Sequence, residues 1–184
     1  GSMDHLNAAQ LDEFMNFYKK FYIPNNATLS IAGDIDAAAT KELVEAYFGT
    51  IPAGTPVVQP TVEEPALGGE KSLTVYDNIQ LPAVMMGYRM PPQTSDDAYA
   101  LQMASTVLSG GPSSRMYKRL VDQDQTALQV FAFPFTFEQG GAFITFSLAN
   151  AGKGIDDMTP ALEEEIEKLQ TELISEREFE KIQN

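Results

Sequence analysis

The chain has 184 residues, with 26 acids against 12 Lys and Arg, a net charge of −14 and no cysteine. That balance repels phosphate backbones and argues against nucleic acid as a partner, and the absence of thiols removes disulfides and thiolate chemistry. With 43% apolar residues, 11 Phe and 7 Tyr, the chain can bury a core for one domain, or for one domain plus part of another.

Gly1-Ser2, with or without Met3, reads as a tag remnant and is set aside. No leader pattern is visible, and no apolar run approaches the 18 or so residues of a membrane span. The acids are unevenly placed. Residues 1–70 carry 10 acids and 3 bases, residues 71–150 carry 6 and 5, and residues 151–184 carry 10 and 4. The acidic ends are read as solvated helical faces.

Asn7-Ala8-Ala9-Gln10 has the form of a capping box. Leu11, Phe14, Met15, Tyr18 and Phe21 or Tyr22 follow at helical spacing, and Pro24 ends that helix. Residues 27–32 (ATLSIA) read as a short strand with Leu29 and Ile31 on one face. Asp36 is the expected N-cap of a helix over 37–48, closed by Gly49. Pro52, Pro56, Pro60 and Pro65 then mark residues 51–70 as a linker, where a boundary is expected.

Residues 71–76 alternate and read as a strand. Residues 83–89 form a more continuous apolar run, expected to be a central strand covered on both faces. Ser95 caps a helix with Asp96 and Asp97 in its first turn, and Leu101, Ala104, Val107 and Leu108 face inward. A Gly110-Gly111-Pro112 corner leads to a short helix around Met116 and Leu120. Strands over 127–137 and 142–149 are joined at Glu138–Gly141 as a hairpin, and Phe131, Phe133, Phe135 and Phe137 share one strand face. A long acidic helix starts at Asp156 or Thr159, breaks near Ser175 and resumes at Glu176. The order β-β-α-α-β-β-α predicts an α+β two-layer sandwich, its sheet mostly antiparallel and its helices packed on one face.

Catalytic sets are scarce. The one histidine, His5, lies beside the tag remnant, so zinc held within this chain would need carboxylates almost alone. Neither HExxH nor HxxEH occurs. No Ser-His or Cys-His pair can be built, and the glycines at 110–111 lack the Lys-Ser/Thr of a P-loop. Asp96/Asp97 and Glu163–Glu165 are explained by capping and by a wet helix face. Asp122/Asp124, inside the corner, is the one carboxylate pair of interest. Arg115, Lys118 and Arg119 read either as a solvated face or as a site recognising a carboxylate or a peptide main chain. The strand over 127–137 is a candidate edge for adding a peptide strand, unless its Phe row is simply core.

Several stretches together resemble the insulinase/pitrilysin family of zinc metallopeptidases (family M16), which includes mitochondrial processing peptidase and the core proteins of the respiratory bc1 complex. They are FYKKFYIPNNATLSIAGDID at 17–36 with AYFGTIP at 46–52, GGPSSRMYKRLVDQDQTALQV at 110–130, and the terminal ISEREFEKIQN. The ordered set covers essentially residues 6–184. The resemblance implies repeated α+β units, one bearing the zinc motif and the next catalytically silent. Residues 6–50 would be the end of the first unit, 51–70 the linker and 71–184 the first part of the silent one, with the option of folding together as one domain.

In that family, active members present an Arg and, seven residues later, a Tyr to the substrate from the silent unit. The matching positions here are Val121 and Leu128, and neither side chain donates a hydrogen bond. Residues Gly110, Gly111, Ser114 and Arg115 are the expected substrate contacts. Zinc is expected only in a partner domain, with no metal or other cofactor in this chain. The expected partners are an HxxEH-bearing M16 domain or subunit, a peptide substrate, and a second copy joined by strand swapping through residues 27–32. Three functions compete: a silent wall of a peptidase chamber, a structural assembly subunit of the core-protein kind, and an unrelated α+β interaction module.

Overall fold

The computed structural model describes residues 2–61 and 63–183. Gly1, Val62 of the Pro-rich stretch and Asn184 lie outside the described residues. The chain divides into two units, the first running to Pro65 and the second starting at Ala66.

The first unit holds helices α1 (Met3–Ala8), α2 (Leu11–Phe21) and α3 (Ala37–Phe48). Gln10, rather than Asn7, is the N-cap of α2. Its N–H donates to the Glu13 carboxylate at 2.8 Å, which satisfies one of the donors a helix start leaves open. Asp36 caps α3 by accepting from the Ala39 N–H at 2.8 Å. Asn25 ties the following stretch back, its N–H donating to Ala53 O at 3.2 Å and its side-chain amide to Gly54 O at 2.8 Å. No described residue of this unit is buried. The strand expected at 27–32 does not form. Those residues join no ladder, and Leu29 and Ile31 stand exposed. Period-2 alternation marks a segment able to be a strand, but a strand exists only where a neighbour supplies the ladder.

The second unit carries β1 (Ala83–Met90), α4 (Asp96–Ser109), a π-helix (Tyr117–Gln123), β2 (Ala127–Thr136), β3 (Gly141–Ala149), α5 (Ile155–Thr171) and α6 (Glu176–Gln183). Residues 71–76 join no ladder, so the observed order lacks the first strand expected after the linker. The sheet is antiparallel with order β1-β3-β2, so β3 is central and β1 is an edge. The expectation of a central β1 fails for a simple reason. An apolar run indicates burial but does not tell a doubly covered strand from an edge strand whose outer face is open.

Helices α4 and α5 pack on one face of this sheet. Leu108, Met116, Leu120, Val130, Ala132, Phe143, Ala149, Met158, Ala161 and Leu162 form the core between the layers. Along β3 the residues alternate, with Phe143, Thr145, Ser147 and Ala149 buried under the helices. The other face is open. It shows Met85, Phe131, Phe133 and Phe135, with Ile144 and Phe146 half-buried between them. Phe131 and Phe146 are neighbours across the ladder, their ring centroids 6.3 Å apart. Phe137, just past β2, packs edge-on against Phe135 at 4.8 Å. The Phe row is therefore not core.

Candidate functional site

The corner over residues 107–130 is built from backbone needs. Helix α4 ends at Gly110, whose N–H donates to Thr106 O at 2.8 Å. A Cβ at Gly110 would collide with that carbonyl. Gly111 has φ +85°, the left-handed region that costs an L-residue about 1–2 kcal/mol. Its carbonyl accepts both the Ser114 N–H at 3.0 Å and the Ser114 hydroxyl at 2.6 Å. Ser114 is buried, and Met116 and Leu120 have no exposed surface, so the corner is pinned from below by the core.

The segment that follows is a π-helix, in which the Asp124 N–H donates to Arg119 O at 2.9 Å. The wider turn carries the chain from the helix layer toward the sheet. Gln125, at φ +51°, completes the reversal, and the Thr126 N–H returns to Leu120 O at 2.9 Å. Strand β2 then starts with a bulge. Ala127 faces Ala149 while Gln129 faces Leu148, so Leu128 is the extra residue.

Two of the three basic residues of the corner, Arg115 and Arg119, are engaged inside the chain, while Lys118 is exposed. The Arg115 guanidinium donates to Glu178 of α6 through Nε at 2.7 Å and Nη2 at 3.0 Å. Glu178 also accepts the Ser175 N–H and hydroxyl, both at 2.9 Å. The hydrogen bond from Arg115, helped by Ser175, pulls the Glu178 carboxyl down from the ordinary 4.5 to about 2. The same pairing raises the pKa of Arg115 above its ordinary value. Lys181 of α6 donates to Gly110 O at 2.9 Å. Arg119 donates to Asp124 at 2.6 Å and to Glu164 at 3.2 Å. At Arg115 and Arg119 the carboxylate recognition anticipated for this cluster is thus met by the chain's own acids, Asp124 of the carboxylate pair among them.

The two positions matched to the family's Arg and Tyr fall in different settings. Val121 is partly buried against the core, whereas Leu128 is exposed at the bulge. No group of three His, Cys, Asp or Glu side chains able to hold a metal ion occurs among the described residues. Among the described residues, no helix is long and apolar enough to cross a membrane.

The sequence did not signal the role of Ser109. Its hydroxyl accepts the Ala132 N–H at 2.7 Å and donates to the Ala132 carbonyl at 3.1 Å. Ala132 therefore turns its main-chain groups away from β3, toward the sheet edge, where Ser109 occupies them. Two residues on, Pro134 has no N–H to offer. The edge of β2 is blunted in both ways, as exposed edges commonly are. A peptide strand adding there would have to displace Ser109.

The family model described as "Peptidase M16 inactive domain" matches residues 8–184. The chain belongs to the M16 inactive-domain family. It is 26% identical over 185 residues to the zinc protease PqqE of Helicobacter pylori, covering 99% of this chain and 42% of that protein. A solved protease structure from Helicobacter pylori superposes with a TM-score of 0.88 at 26% identity, covering 99% of this chain and 44% of the other. The fold also matches an M16 inactive domain from Pseudomonas fluorescens, with a TM-score of 0.76 at 13% identity over 99% of this chain and 44% of that one. The chain spans less than half the length of these relatives. The α+β architecture with an antiparallel sheet agrees with the expectation from sequence.

Proposed function

We propose that this domain forms a silent wall that helps enclose peptide substrate for a zinc-bearing HxxEH domain outside the chain. The observation that carries this reading is the one-sided sheet, with helices covering one face and Met85, Phe131, Phe133 and Phe135 exposed on the other. An open apolar face of this size is costly in water unless something uses it. Gly110, Gly111, Ser114 and Arg115 serve this wall by fixing where β2 begins, with any direct substrate contact falling to the exposed Gly111. The test is reconstitution. The chain is mixed with an HxxEH-bearing M16 partner and cleavage of an unfolded peptide is followed. Turnover that rises when the chain is added supports the reading, and turnover indifferent to it contradicts it.

One observation favours a second reading. The resemblance matches Val121 and Leu128 to the positions from which active members offer an Arg and a Tyr to substrate, and neither side chain can donate. On that reading the domain is a structural subunit of a protease-derived assembly. It would form a stable complex with the partner and leave turnover unchanged.

A further inference from the structure

The two edges of the sheet are not alike. On β2 the outward main-chain groups fall at Ala132, held by Ser109, and at Pro134, which has no N–H. On β1 the parity is set by Pro82, whose carbonyl accepts the Ala149 N–H at 2.9 Å, next to the pair Ala83 and Leu148. In an antiparallel ladder the bonded pairs recur at every second residue. Val84, Met86 and Tyr88 therefore turn their main-chain groups to β3, and Ala83, Met85 and Gly87 turn theirs outward. Among the described residues those outward groups have no partner. They form a row of donors and acceptors about 7 Å apart.

No proline interrupts this row, and Arg89, the one charged side chain of β1, lies beyond the three residues that form it. Val84 and Met86 pack against the core beneath, so the strand is fixed before anything pairs with it. A Cβ at Gly87 would meet no atom within 4 Å, which leaves room there for the side chain of another strand. Residues 71–76, which lead toward β1, join no ladder and keep Leu73, Val75 and Tyr76 exposed. The surroundings set the chemistry of a ligand. Beside the row, the open face carries Met85 and the half-buried Ile144 and Phe146, which favours apolar side chains at alternate positions. Burial pushes the Tyr88 hydroxyl above its ordinary value, and the nearby Glu163 and Glu70 add to that. Two acids near the strand, on a chain of charge −14, favour a basic ligand over an acidic one.

We infer that the free edge of β1 binds an extended peptide as a fourth strand, through the main-chain groups of Ala83, Met85 and Gly87. The peptide carries apolar residues at alternate positions and a basic end. This takes from the chamber-wall reading only that the ligand is a peptide, and adds where that peptide lies. The edge for strand addition is thus on β1, and not on the strand over 127–137 expected from sequence. An extended peptide satisfies the groups of all three residues at once. A helix, whose own main-chain groups are already paired, satisfies none. Main-chain bonds supply the affinity and alternate side chains the selectivity.

The probe is a fluorescein-labelled peptide of alternating Val and Thr flanked by Lys, titrated with the chain alone and followed by fluorescence anisotropy. Two companion peptides carry N-methyl groups, one on every Val and the other on every Thr. A further peptide of Ala and Lys is helical and has the same net charge. Only one alternate set of N–H groups in an added strand faces β1. The plain peptide is therefore expected to bind, with one N-methylated version weaker by about tenfold or more and the other close to the parent. The helical peptide should not bind. Amide exchange should slow at Ala83, Met85 and Gly87 when the plain peptide is added, and stay unchanged at Ala132. Met85→Pro removes an outward N–H and no ladder bond, so it should weaken binding without altering the far-UV spectrum. If that variant fails to fold, the N-methylated pair decides alone. Equal behaviour of the two N-methylated peptides overturns the inference. So does equal binding of the helical peptide, which would reduce the attraction to charge, or protection that appears away from β1, or no binding at all. A peptide that adds to β1 without raising turnover in the reconstitution sinks the chamber-wall reading and leaves the edge standing. Raised turnover with both N-methylated peptides bound alike does the reverse.

Discussion

Arg115 and Glu178 lie 63 residues apart in the chain and are joined by two hydrogen bonds, Nε to Oε1 at 2.7 Å and Nη2 to Oε2 at 3.0 Å. This pair docks α6, which buries no residue of its own, onto the Gly110–Arg115 corner. Substituting Glu178→Gln should speed amide exchange along α6 and cost about 1–2 kcal/mol, a value reduced for the partial solvent exposure of both side chains. The pH dependence follows from the lowered carboxyl. Its folded value of about 2 lies below the ordinary 4.5, so its stabilisation is present above pH 4.5 and is lost as pH falls toward 2. Thermal melts over that window should show a steeper acid loss in the parent chain than in Glu178→Gln.

Ser109 and Ala132 make a second long-range junction, between the last residue of α4 and the outer side of β2. Ser109→Ala leaves the Ala132 N–H and C=O without their partner. The expected cost is about 1–3 kcal/mol, the penalty of an unmet main-chain group. Urea titration measures it. The same variant should shorten the exchange lifetime of the Ala132 amide more than that of its neighbours.

The Thr145 hydroxyl is fully buried on the helix side of β3 and has no hydrogen-bond partner among the described residues. Thr145→Val keeps the shape and removes the stranded polar group. Stability should rise by roughly 1 kcal/mol, seen as a higher urea midpoint with an unchanged slope.

Much of the second unit was legible because its signals are local. Ser95 before two aspartates, Gly110-Gly111 after an apolar helix face, and alternating strands around Glu138–Gly141 each report on a few neighbouring residues. The pinning of the corner by Met116 and Leu120 could likewise be read from helical spacing. What failed was what depends on distant partners. Residues 27–32 and 71–76 alternate correctly but meet no neighbouring strand. Strand β1 is apolar yet sits at an edge. The pairing of Arg115 with Glu178 and of Ser109 with Ala132 links positions whose proximity exists only in the fold. Of the site, the corner was visible in the sequence, but the engagement of its two arginines was not.

The central claim is that this domain supports zinc peptidase chemistry without performing it. The most direct measurement is the metal content of the purified chain, paired with a peptide-cleavage assay of the chain alone. The account predicts zinc far below one ion per chain, removed by mild chelation, and no turnover. One tightly held zinc per chain, or cleavage by the chain alone that chelation abolishes, would contradict it.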